Sequence, residues 1–117
     1  MPVSDPDVID SIGVNTSSDR VMMNMWEERD WTELEVQLRD LEKKVNSYLD
    51  YVLGGQLNES PEYVGKPIDF QIFLQFRPPD QAKPHFRALA SHLSQLRIGF
   101  TAFLGPYMWS PRFDWDS

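Results

Sequence analysis

The segment from Asp30 to Gln56 constrains this chain most, because it reads as one long helix with both ends marked. Thr32 and Glu35 form a Thr-x-x-Glu capping box, in which each side chain satisfies a backbone N–H of the other residue. Trp31 before the cap and Val36 after it are placed to clasp as a hydrophobic staple. Leu34, Leu38, Leu41, Val45, Tyr48, Leu49 and Val52 then recur along one face at helical period. Gly54-Gly55 ends the run, since glycine adopts the left-handed conformation beyond a helix C-terminus at little cost. A helix with one apolar stripe must bury it, and the flanking segments supply a sheet for that purpose.

Ahead of the helix, Val8, Ile12 and Val14 alternate with Ser11 and Gly13 over most of a short run, and Val21, Met23 and Met25 alternate with Met22, Asn24 and Trp26. The cluster Asn15-Thr16-Ser17-Ser18-Asp19 between them is rich in turn formers, so the spacing predicts a β-hairpin. After the helix, residues 58–66 read as a long connection carrying Pro61 and Gly65. Ile68, Phe70, Ile72, Leu74 and Phe76 then alternate with Asp69, Gln71, Phe73 and Gln75, the clearest strand in the chain. Pro78-Pro79 stops it and Asp80 is placed to cap a second helix, with Pro84 in its first turn and a stripe of Phe86, Leu89, Ala90, Leu93 and Leu96. Gly99 is expected to end that helix, and residues 100–104 read as a last strand. The predicted fold class is α+β, a β-β-α-β-α-β two-layer sandwich. Right-handed crossovers put both helices on one face of a mixed four-stranded sheet.

Residues 1–104 make a single domain in this reading, a size that supports one core without staples. Residues 105–117 form a tail with Tyr107, Trp109, Phe113 and Trp115 among prolines and acids. Disordered segments are poor in aromatics. The tail is therefore expected to dock, on the sheet or on a partner. With both helices on one face, Met22, Trp26, Phe73 and Phe103 point to the other, and an apolar patch of that kind calls for a cover.

Composition excludes several functions. Lys plus Arg number 11 against 18 Asp plus Glu, a net charge of −7 that repels a phosphate backbone, so nucleic acid is not expected as a ligand. Zero cysteines remove disulfides, thiolate metal sites and cysteine nucleophiles, and fit a reducing cytoplasm. The first ten residues carry acids where a signal peptide needs cations, and no run approaches the ~20 apolar residues of a membrane span. No phosphate-binding glycine loop occurs, so no cofactor is expected.

The candidates for chemistry are few. His85 and His92 are the only histidines, seven residues apart on the second helix and so about 10 Å apart. That is too far to share a metal bound at about 2 Å, and boundary packing is the expected role. Glu27, Glu28, Asp30, Glu33 and Glu35 crowd the start of the first helix, where acids complement the helix dipole, and no calcium-loop spacing accompanies them. No metal site and no catalytic residue is singled out. Gly54-Gly55-Gln56 matches the tripeptide of peptide-release factors, but here it closes a helix in an acidic chain.

The hairpin, the Asp30-Trp31 start of the helix, the stretch Leu41-x-x-Lys44-x-Asn46-x-Tyr48 and Gly55-Gln56, followed by a proline-bearing loop and one amphipathic strand, resemble a family of small bacterial proteins catalogued as a domain of unknown function. The resemblance covers residues 8–104 and implies a bacterial, cytoplasmic protein. It transfers no catalytic residue, but it directs attention to Lys44, Asn46 and Tyr48. Of these, Tyr48 falls on the apolar stripe, and Lys44 is placed to pair with Asp40 four residues earlier.

The preferred reading is a non-enzymatic protein–protein interaction module, pairing with itself as a homodimer or with a basic protein, as a small immunity protein does. Its candidate contact residues are Trp26, Glu27, Glu28, Asp30, Phe73, Phe103, Tyr107, Trp109, Phe113 and Trp115. The alternative is a small carboxylate- or His-dependent hydrolase or transferase.

Overall fold

The computed structural model describes residues 9–105, 107 and 109–115. Strands β1 (Ser11–Asn15), β2 (Arg20–Glu27), β3 (Ile68–Leu74) and β4 (Ile98–Leu104) form one mixed sheet in the order β1-β2-β3-β4. The first two make the hairpin, antiparallel and in register from Ser11 opposite Asn24 to Asn15 opposite Arg20. Asn15 builds its turn: the side-chain oxygen accepts from the N–H groups of Ser17 and Ser18, and the backbone carbonyl accepts from Asp19. Val8, read as part of the first strand, lies outside the described residues.

β2, β3 and β4 run parallel, each joined to the next through a helix. Helix α1 (Leu34–Leu53) links β2 to β3, and α2 (Lys83–Gln95) links β3 to β4. Consecutive crossovers that step in one direction across a sheet place their helices on the same side. One core results, in which Leu38, Leu41, Val45, Tyr48 and Leu49 of α1 and Phe86 and Leu93 of α2 meet Met23, Met25, Phe70, Ile72 and Leu74 of the sheet. Strand alternation sends Trp26, Phe73 and Phe103 to the helix-free side.

Several helix ends differ from the reading of the sequence. α1 begins at Leu34 after Glu33, with no side-chain cap, so Thr32 is not the cap and its box with Glu35 does not form. Asp30 is the competitor. Its carboxylate accepts the Thr32 hydroxyl at 2.8 Å and the Thr32 N–H at 3.4 Å, tying Thr32 into the turn before the helix. The staple is also absent: Val36 is exposed, while Trp31 packs edge-on against Phe86 and donates its indole N–H to the Phe76 carbonyl. Asp80 opens a single 3-10 turn that runs into α2 rather than capping α2 itself.

At the far end of α1, Gly55 takes the left-handed backbone as expected, with φ 85°. α2 closes differently. Arg97, not Gly99, carries the positive φ of 62°, and Gly99 lies within β4. The reason for glycine there is space, since a Cβ would sit 2.0 Å from the Asp69 carboxylate. That carboxylate is held by a two-pronged ion pair with Arg20 at 2.6 and 2.8 Å.

Candidate functional site

Trp26, Phe73 and Phe103 occupy one register position near the C-terminal ends of the three parallel strands. Their rings stand in a stack, Trp26 on Phe73 at 5.4 Å and Phe73 on Phe103 at 5.1 Å, with planes 20° and 17° apart. Phe73 in the middle is only 2% exposed, while its two neighbours are half-buried. The helix-free face therefore presents a ridge of ring edges rather than three separate side chains.

β4 leads from this ridge directly into the tail. Gly105 donates its N–H to the Leu74 carbonyl at 2.7 Å. Tyr107 and Ser110 then close a turn through two mutual hydrogen bonds. Tyr107 and Trp109 stack at 4.7 Å with planes 8° apart, and they stand 55% and 81% exposed. Large rings on a loop tip normally bury against something, and these two leave from the same end of the sheet as the ridge.

The other two tail aromatics go elsewhere. Arg112 forms an antiparallel bridge with Phe103, which turns the chain back along the β4 edge. Phe113 joins the core, and Trp115 meets Phe86 edge-on at 5.7 Å. Arg77 lies over the Phe113 ring at 5.1 Å and donates to the Trp115 carbonyl. Phe113 and Trp115 thus dock within the chain on the flank where α2 meets β4, not on the helix-free face.

The acidic candidates separate in the same way. Glu27 is 1% exposed and neutralised by Arg29, whose guanidinium grips both its oxygens at 2.9 Å and reaches Asp40 at 3.0 Å. These bonds, chiefly those to Glu27, hold the Arg29 guanidinium above its ordinary range. Glu27 is therefore a structural anchor and offers no free charge. Glu28 and Asp30 remain exposed at the ridge end of β2. Among the described residues, no group of three or more His, Asp or Glu is placed to hold a metal ion.

Of the three residues picked out by resemblance, two face inward. Lys44 is fully buried and pairs with Asp10 at 2.8 Å, not with Asp40, whose carboxylate is taken by Arg29. Tyr48 receives the Asp10 N–H and donates to the Asn24 carbonyl, tying α1 to the hairpin. The signal for this was present, because Lys44 sits three residues after Leu41 and four before Tyr48, on the buried stripe. Asn46 instead lines a groove of about 350 Å³ between the helices, with Glu42, His85 and His92 around an apolar floor.

Burial pushes the Tyr48 hydroxyl above the ordinary tyrosine value, with the Asp10 charge adding and its hydrogen bond opposing. Above about pH 10 the unfolded chain loses this proton while the folded chain keeps it, so stability falls as pH rises. Urea unfolding followed from about pH 8 to about pH 11 is expected to show that fall, and Tyr48→Phe to flatten it. An identical slope in the variant would place the alkaline sensitivity elsewhere.

These features define a two-layer α+β domain with a stacked aromatic ridge on its helix-free face. The chain belongs to DUF6572, a family of unknown function, whose sequence pattern matches residues 1–104. No curated protein and no solved structure matches it. The family match stops at the last residue of β4, so the loop bearing Tyr107 and Trp109 lies beyond the matched region. No helix among the described residues is long and apolar enough to cross a membrane.

Proposed function

We propose that this protein is a non-enzymatic protein–protein interaction module that pairs with a second copy of itself through the helix-free face. The observation that carries this reading is the exposed Tyr107–Trp109 stack, which projects from the same end of the sheet as the Trp26–Phe73–Phe103 ridge. A projecting pair beside a ridge of ring edges is self-complementary, and a two-fold axis lets each copy seat its loop on the ridge of the other. Exposed Glu28 and Asp30 at that end add like charge between copies. The dimer therefore tightens as salt screens them.

Light scattering across a concentration series tests this. The expected mass is twice the 13.7 kDa chain, with Trp109→Ala returning the single-chain mass at little cost in thermal stability. A single-chain mass up to about 100 μM, corresponding to association weaker than roughly −5.5 kcal/mol, sinks self-pairing. The same aromatic surface, with its acids, would then fit a basic protein in the manner of an immunity protein. That contact is distinguished by weakening with salt rather than tightening.

A further inference from the structure

β4 is an edge of the sheet, and its sequence from Ile98 to Leu104 contains no charge and no proline. Two of the devices that normally keep an edge strand from pairing, charge and proline, are thus missing from it. The tail guards only one end. Leu104 donates to the Pro111 carbonyl at 3.0 Å and Phe113 donates to the Ala102 carbonyl at 2.8 Å, around the single bridge between Phe103 and Arg112. Backbone groups alternate between the two sides of a strand, so these bonds identify Ala102 and Leu104, and with them Phe100, as facing outward. No backbone bond from a described residue beyond the sheet reaches Phe100.

Beside Phe100 lies a pocket of about 270 Å³ between β4, α2 and the tail. Phe86, Phe100, Phe113 and Trp115 form its aromatic walls. Exposed Arg87 and Arg112 stand at its rim, a pair of cations on a chain of net charge −7. The one acid in the lining, Asp114, is already engaged.

We propose that this edge binds the C-terminal end of an extended peptide. The peptide runs parallel to β4 and exchanges backbone bonds with Phe100, a mode known as strand addition. Its last large apolar side chain fills the aromatic pocket, and its terminal carboxylate meets Arg87 and Arg112. The tail decides between occupants. Arg112 fills the space beside Phe103 that a continuous strand would need, so β4 of a second copy does not fit. A chain that stops beside Thr101, short of Phe113 on the Ala102 carbonyl, does fit, and it stops where the arginines are. This site lies on the flank of the sheet and stands independently of pairing through the helix-free face.

Titration of the isotope-labelled full chain with the acetylated peptide TVTVF, as free acid and as C-terminal amide, tests the proposal by amide chemical shifts. The free acid is expected to move the amides of residues 100–102. Amidation, Arg87→Gln and Arg112→Gln are each expected to weaken binding about tenfold, the scale of one charged hydrogen bond. Against the amide, the two arginine variants should lose little more, because the group they would meet is gone. Equal affinity for acid and amide overturns the proposal. So does the absence of shifts at 100–102 with millimolar peptide, or shifts confined to the helix-free face.

Discussion

Replacing Lys44 with methionine is expected to destabilise the fold by roughly 3 to 5 kcal/mol, although methionine keeps the unbranched apolar stem. Lys44 and Asp10 are both fully buried, with 2.8 Å between ammonium and carboxylate. Methionine takes the Lys44 ammonium away from an Asp10 carboxylate that stays in the interior, where it also accepts the Trp26 N–H at 3.4 Å and keeps a further interaction. A buried charge without its counter-charge is far more costly than the pair is favourable. The double variant Lys44→Met with Asp10→Leu should therefore recover most of the loss. Urea unfolding at neutral pH of the two single variants and the double variant measures this. If the double variant is as unstable as Lys44→Met, packing rather than a stranded charge explains the cost. The pair's structural role follows from its position: Asp10 lies just before β1, so the bond fixes the start of the hairpin to the helix layer, beside the Tyr48 hydroxyl.

That pair also shows where the sequence stops being legible. Element order, the hairpin and the inward face of β3 followed from periodicity, because each residue on those faces answers to a neighbour two, three or four positions away. Spacing places Lys44 on the buried stripe but does not give its partner. Spacing on the helix favours Asp40, but Arg29 reached that carboxylate from the loop before α1, and Lys44 took a partner 34 positions away. The start of α1 failed for a local reason: two sequence features compete for Thr32, and the Asx turn from Asp30 wins over the capping box. Gly99 follows α2 as a helix terminator would, but its lack of a Cβ serves a close approach by Asp69, a carboxylate 30 positions earlier. The aromatic row was visible as alternation, but its stacking depends on the parallel register. Nothing in the spacing of the tail separates Trp109, which stays out, from Phe113, which joins the core, because one bridge at Arg112 makes that division.

The largest loss expected of any single change is at Ile72, and its neighbour Phe73 provides the control. Both are central on β3 and both are nearly inaccessible, at 0% and 2% exposure. They face opposite layers. Ile72 lies in the core between sheet and helices, so Ile72→Asp puts a carboxylate among apolar side chains, out of reach of water. A penalty of several kcal/mol for the ion, added to about 2 to 5 kcal/mol for the lost side chain, consumes an ordinary domain stability of about 5 to 15 kcal/mol. No folded protein is expected. Phe73 is stacked between Trp26 and Phe103, which are themselves half-buried. Phe73→Asp breaks two ring contacts worth about 0.5 to 1.5 kcal/mol each and loses the buried ring, yet its carboxylate can reach water through the gap. That variant is expected to fold with a lowered melting temperature and to lose self-association. Circular dichroism melts with light scattering on both variants decide the matter. Equal collapse would mean that the ridge is sealed as tightly as the core, and a ridge sealed within one chain has no surface left to offer a partner.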